Sequence, residues 1–510
     1  MKKILIILIV INLFACSSTS EPEKTTELTW YVNFSWYQDD FNDSLVSQVI
    51  EEKFNVDLKI VSPSGDASRK LESMVNQDKL ADIMTLQWWN PQITKMIENQ
   101  MIYPLNQLAE KYQIDLDSNI DQLVYDFNEI AGNLYYYPNS YFLPEDYQNS
   151  NYLASNQTFL VRKDIYEALG EPDMTSIDGY YNSIVKASEL YPEVSLVGAH
   201  EFNSNGNVSF DEYLMNFLAI PFIKEGQLYD RYTDPDYLEW LRMYNLLYRQ
   251  GYIDESIFTD KKEQMDEKLK QGNYFSMIFQ RTDIEYAQIN LNSKQSDMIY
   301  IAVDGPKNSN GDDPVLPGVG INGWCDTMIS KNSKNPELAI KIVNYLLSDE
   351  GQKLLYLGVE GETYTIDNNN NPVVKDELQD LYSSDRIKFN QEYGFKDTYW
   401  MLEKTRVNLK WQHDLQGPLK QLENWAYPYT VYPDNDIRIS DDNYIEIKEN
   451  IDSLWSKVLI KLLTAKNDEE FDNIVADFVE SRSLLNYDYY RAITAKEIER
   501  NLSDLVNVNE

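Results

Sequence analysis

Cysteine and histidine are nearly missing from this sequence: Cys16, Cys325, His200 and His413 are all there is of either. Two cysteines build no disulfide framework, and residues this far apart in the sequence give no His/Cys zinc motif. Histidine-based nucleophilic catalysis has only two residues to draw on. Neither a Gly-x-Ser-x-Gly elbow nor a His-Glu-x-x-His pair occurs, and no Gly-x-x-x-x-Gly-Lys loop is present to cradle a phosphate. Glycine is scarce, at 19 of 510 residues about half its usual share. Positive charge is also short. Forty-five Lys and Arg stand against 83 Asp and Glu, and the net charge of −38 repels nucleic acid and anionic head groups.

What the chain has in excess is aromatic: 10 Trp, 38 Tyr and 18 Phe, more rings than a core requires, so some are expected to face a ligand. A hydrophobic share of 43% and a charged share of 25% are those of a globular protein, which excludes disordered and fibrous classes. A length of 510 residues implies two to four domains, or two large lobes.

Lys2 and Lys3 precede the apolar run Ile4 to Ile11, then Leu13-Phe14-Ala15-Cys16 and a polar stretch to Thr26. That is the outline of a signal peptide, too short to span a membrane. Its end resembles a bacterial lipobox, with Phe14 a departure from the usual smaller residue; the resemblance implies cleavage after residue 15 and diacylation of Cys16. Residues 16–26 then form a solvated tether. Cys325, inside an apolar stretch, is expected to be a buried thiol without a partner.

Leu28 to Phe34 reads as a strand. Asn42-Asp43-Ser44 caps a helix with an apolar face of Leu45, Val46, Val49, Ile50 and Phe54. Val56 to Ile60 alternates as a second strand, a helix carries Leu71, Met74 and Val75, and Ala81 to Leu86 is a third strand. This order predicts a parallel α/β sheet with its crevice beyond the carboxyl ends of the strands. Trp36 and the pair Trp88-Trp89 fall just past such ends.

Downstream come Met101-Ile102-Tyr103-Pro104-Leu105, Gly132 to Pro138, Phe159 to Asp164, Tyr248 to Ile253, and Leu269 to Gly272 before the strand Phe275 to Phe279. Lys331 to Ala339 then runs through Asn344 to Gln352 and closes at Gly358 to Tyr364. In this order the motifs resemble the extracellular solute-binding proteins (family 1 type) of ABC importers, in the lipoprotein form and sugar-binding branch. The resemblance implies an α/β, two-lobed periplasmic-binding-protein-like fold with a ligand cleft between lobes. Lobe one is placed at 27–155 plus 305–350, and lobe two at 156–304 plus 351–510. Pro138, Pro144, Pro306 and Pro314 punctuate the crossovers. Beyond Asp367 the pattern fades into amphipathic helices.

A pyranose ring has an apolar C–H face and a hydroxyl rim, suiting an aromatic platform flanked by carboxylates. The candidates are Trp36, Trp88, Trp89, Trp324 and Tyr364, with Tyr141 and Trp400 less strongly marked. The family resemblance places Arg281 toward ligand, where it could clamp an acidic sugar. Asp115, Asp117, Asn119, Asp121 and Asp126 partly imitate a calcium loop, but Ile120 stands where Gly is needed and Asp126 replaces Glu. Asp367 to Asn371 has Pro372 instead of Gly. No metal or cofactor is called for. The implied partners are an oligosaccharide and ABC permease transmembrane subunits, with the protein a monomer held to the outer face of the membrane by its lipid. The rival readings are a lipid-anchored glycoside hydrolase, which needs only two carboxylates at a sugar, and a binder of peptides or other solutes.

Overall fold

The computed structural model describes residues 25–37, 41–149, 153–411, 417–423, 425–433, 435, 438–439 and 441–506. Cys16 and the signal sequence lie outside the described residues. In chain order the strands are β1 (Thr26–Val32), β2 (Val56–Val61), β3 (Ile83–Gln87), β4 (Tyr137–Pro138), β5 (Gln157–Arg162), β6 (Ser195–Gly198), β7 (Ile223–Lys224), β8 (Gln227–Leu228), β9 (Tyr274–Gln280), β10 (Tyr300–Ala302), β11 (Leu316–Pro317), β12 (Cys325–Ile329), β13 (Tyr364–Ile366), β14 (Pro372–Val374) and β15 (Thr430–Val431).

The first sheet has the order β2-β1-β3-β12-β4, with β1, β2 and β3 parallel and β12 antiparallel to β3. Both faces are covered. Leu28, Trp30 and Val32 point into one core while Tyr31, Met84, Leu86 and Met328 point into the other. Helices on both faces explain why β3 is buried along nearly its whole length. The helix Leu45–Phe54 starts where Ser44 Oγ accepts from the Ser47 amide at 3.2 Å and stops at Asn55 in the left-handed region. Cys325 is buried and free, its thiol pushed well above the ordinary range by burial and then by Asp326.

The second sheet is β10-β5-β9-β6. Two cores flank it, one with Trp240, Phe275 and Ile278, the other with Met277, Phe279 and Tyr300. The C-terminal helices Asp442–Leu463 and Asp468–Ser483 join this lobe. Buried Asp211 accepts from Trp455 Nε1 at 2.7 Å and from the Tyr237 hydroxyl at 3.0 Å, tying the first of them to the lobe-two core.

One expected boundary is corrected by the packing. Residues after 350 were assigned to lobe two, but Leu354, Leu355, Leu357, Phe389, Phe395, Met401 and Trp411 bury into the lobe-one core. The cause is local: Gln352 Nε2 donates to both Leu346 O and Leu402 O, so the chain folds back on lobe one before leaving it.

Among the described residues, the chain passes between lobes along three stretches that are joined to each other. Ser155 donates its amide to Thr430 Oγ1 at 2.7 Å and its hydroxyl to Pro317 O at 3.0 Å. β11 and β15 pair in parallel, and Gly318 N reaches Val431 O at 2.9 Å.

Glu403, beside the first core, is almost fully buried, and burial is the main cause that pushes its carboxyl up to about 8 from an ordinary 4.5. A carboxyl shifted upward favours the fold when neutral. Its contribution is complete below pH 4.5 and is lost as pH rises through about 8. Urea unfolding at about pH 5 and about pH 8 should show the wild type losing on the order of 4 kcal/mol more across that window than Glu403→Gln.

Candidate functional site

The carboxyl ends of β1 and β3 and the start of β12 form one edge of lobe one, and there the aromatic surplus collects. The Trp88 amide donates to Trp324 O at 3.3 Å, which sets the two indoles on neighbouring strands. Phe34, just past β1, stacks on Trp36 at 5.1 Å and on Trp324 at 4.7 Å, with interplanar angles of 19° and 15°. Trp88 and Trp89 meet edge to face at 5.6 Å. Trp36 is 44% exposed and Trp89 58%, values unusual for indoles without a structural partner to cover them. Trp88 is half-buried, with the Arg438 guanidinium 5.7 Å from its ring and Arg438 Nη1 paired to buried Asp326 at 3.1 Å.

Sequence reading missed Tyr399. Its carbonyl accepts from the Asn139 side chain, and its ring lies 5.4 Å from Trp324. It is 37% exposed, yet burial still pushes its phenol well above the ordinary value, followed by the charges of Asp397 and Tyr286. Glu285 of lobe two meets Arg386 Nη1 at 2.5 Å, so the two lobes touch on this side of the molecule.

On the lobe-two side, β9 ends at Gln280 and Arg281 follows. Arg281 Nε donates to Ser155 O at 3.2 Å, and its Nη1 lies 3.9 Å from Glu285 and 3.7 Å from Glu423. Beside it, His200 stacks on Phe279 at 3.8 Å, its Nδ1 is 2.7 Å from Ser209 Oγ, and its Nε2 is 3.7 Å from Asp283. Ser209–Tyr213 is a π-helical turn, a form frequent at functional sites, and it carries exposed Glu212 and the Tyr213 hydroxyl, 3.1 Å from Gln280.

Trp36, Trp88, Trp89 and Trp324 are thus brought together, and Arg281 stands on the other lobe. Three candidates lie elsewhere. Tyr141 is fully buried and donates its hydroxyl to Asp121 at 2.7 Å; Tyr364 is 6% exposed and packs in the lobe-one core at the head of the β13–β14 hairpin. Trp400 is a core residue, edge to face with Trp30 at 6.0 Å. In the calcium-like stretch, Asp121 is taken by Arg406 at 3.2 Å and Asp115 by the Ser118 hydroxyl. Asp367 accepts from the Asn369 and Asn371 amides within a tight turn. Gly318, Gly320 and Gly323 have the letter spacing of a dinucleotide loop, but they lead into β12 and not from a strand into a helix. Their tightest demand is steric, since a Cβ at Gly323 would fall 1.8 Å from Asn139 O. A groove of about 340 Å³ lined by Tyr31, Ser62, Lys70 and Met74 contains none of the rim indoles.

A model of the bacterial extracellular solute-binding protein family matches residues 38–353, more than half of the chain. The chain belongs to that family. No curated protein matches it by sequence. Among solved structures it is similar to the Streptococcus pneumoniae ABC-transporter substrate-binding protein FusA in complex with kestose, at 16% identity and TM-score 0.68, covering 94% of this chain and 100% of that one. It is also similar to an HMO-binding solute-binding protein from Bifidobacterium longum infantis, at 14% identity and TM-score 0.65, covering 93% and 99%. The alginate-binding protein AlgQ2 gives 15% identity and TM-score 0.65, covering 94% and 99%. These likenesses establish the two-lobed fold of solute-binding proteins.

The distinction between rim and core indoles is measurable. Trp400→Ala should cost about 3 to 5 kcal/mol of stability, as for a buried Trp, whereas Trp89→Ala should cost under about 1 kcal/mol. Denaturant unfolding of the two variants reads the difference.

Proposed function

We propose that this solute-binding protein captures an extracellular oligosaccharide and delivers it to the transmembrane permease subunits of an ABC importer, as a monomer tethered by lipid on Cys16. The observation that carries the reading is the group of partly exposed indoles, Trp36, Trp89 and Trp324, at the strand ends of a two-lobed fold. Flat apolar faces beside carboxylates match the chemistry of a sugar ring. The kestose complex of FusA supports a glycan over a peptide. Among the described residues no helix is long and apolar enough to cross a membrane, consistent with attachment through acyl chains.

Capture works by population shift. A ligand touching both lobes only when they are closed favours the closed form by its differential affinity, and the permease then meets a liganded surface unlike the empty one. No bond in the ligand is broken.

A cognate oligosaccharide should lower the radius of gyration in solution scattering and leave the sugar at its original length by mass spectrometry. At a hundred times its Kd it should add about 2.7 kcal/mol of stability. Trp324→Ala should weaken binding by about 1 to 3 kcal/mol in calorimetry. Shortened products, or stabilisation without compaction, would overturn the capture mechanism.

Anchoring is tested separately. Cys16→Ser should release the protein from the membrane fraction of its bacterium or leave it unprocessed; a cleaved chain still attached would refute the lipid anchor.

A further inference from the structure

The seam between the lobes carries a set of paired charges. Glu285 bridges two guanidiniums, meeting Arg386 Nη1 at 2.5 Å through one oxygen and Arg281 Nη1 at 3.9 Å through the other. Glu423 takes Arg281 at 3.7 Å and Asp397 takes Arg386 at 3.8 Å. The remaining Arg386 nitrogens are buried, with the guanidinium 4.1 Å from the Tyr382 ring and 5.5 Å from that of Tyr286, out of a ligand's reach. Lys396 lies over the Tyr382 ring at 4.5 Å, within the field of Asp397 and Glu285. Asp283 adds another carboxylate beside His200. Along the seam, Arg281, Arg386 and Lys396 therefore stand with Glu285, Asp397 and Glu423.

Carboxylates held in this way accept hydrogen bonds from sugar hydroxyls without losing their arginine partners. A ligand carboxylate, sulfate or phosphate brings only negative charge, and to reach a guanidinium it must expel an internal carboxylate into a field that is already acidic. Arg281 is thus already paired with Glu285 and Glu423, and their charge opposes its use as a clamp for an acidic sugar. Resting on the oligosaccharide reading above, we infer that the cleft takes an uncharged glycan and discriminates against glycans that carry acidic groups.

The probes are a calorimetric and thermal-shift panel of neutral malto-, xylo-, manno- and fructo-oligosaccharides, with oligogalacturonates, oligoalginates and sialylated glycans as the acidic arm. Binding is expected in the neutral arm, with every acidic glycan weaker by at least about tenfold. The affinity of the best neutral glycan should change less than about twofold between about 50 mM and about 500 mM salt, because no ligand charge is there to be screened. Glu423→Gln, which frees one side of Arg281, should narrow the gap by improving acidic binding about tenfold; the salt series stands even if that variant folds poorly. An acidic glycan that binds as tightly as its neutral counterpart, or an affinity that falls steeply with salt, overturns this inference and leaves the oligosaccharide reading intact. A panel in which no glycan binds overturns both.

Discussion

The connection between the two lobes is tied at one hydrogen-bonded junction, where Ser155 holds Thr430 and Pro317 at once. Three chain crossings could act as three independent tethers, but here they are joined by side-chain bonds, the β11–β15 pairing and the Ile321 amide donating to the Tyr432 hydroxyl at 3.0 Å. A joined set bends as a unit. Arg281, through Ser155 O, and the segment leading to Trp324, through Ile321, are both bonded to this set.

The second organising constraint is electrostatic. A chain of net charge −38 repels itself, and such repulsion is relieved where acids are paired or neutral. Both devices operate in the interior. Arg406 gathers Asp121, Glu145 and Asp146, the last at 2.8 Å, and Arg482 takes Asp230 at 2.5 Å, fastening the C-terminal helices. Asp211 instead is pushed up to about 7, chiefly by burial, so near neutral pH it holds its proton part of the time.

Much of lobe one was legible in the sequence because its signals are local: alternation along β1 and β2, the Ser44 cap, and proline opening the helix Pro336–Leu347. The rim indoles were legible for the same reason, since a Trp just past a strand end advertises its position. Tyr399 and the Glu285–Arg386 pair were not, because the partners lie 101 residues apart and meet only through the fold. The third crossing was expected at 350 and lies further on, near β15, which has two residues and no periodicity to read. Tyr141 and Tyr364 misled for the opposite reason. An aromatic near a strand end is the same letter whether it turns outward or inward, and Tyr141 turns inward because Asp121 is there to accept its hydroxyl.

The lobe-one sheet is discontinuous in the chain, with β1, β2, β3 and β4 complete by residue 138 and β12, which pairs between β3 and β4, only at 325–329. Lobe two, by contrast, completes its sheet within residues 157–302. As the polypeptide emerges from its N-terminus, the lobe encoded first must wait, with β3 open along one edge, until the lobe encoded second has passed. Long-range pairing of this kind folds slowly and leaves an unpaired apolar strand exposed in the interval. The vulnerable stage in the life of this protein is therefore its emergence, and the strand at risk is β3, which leads directly into Trp88 and Trp89.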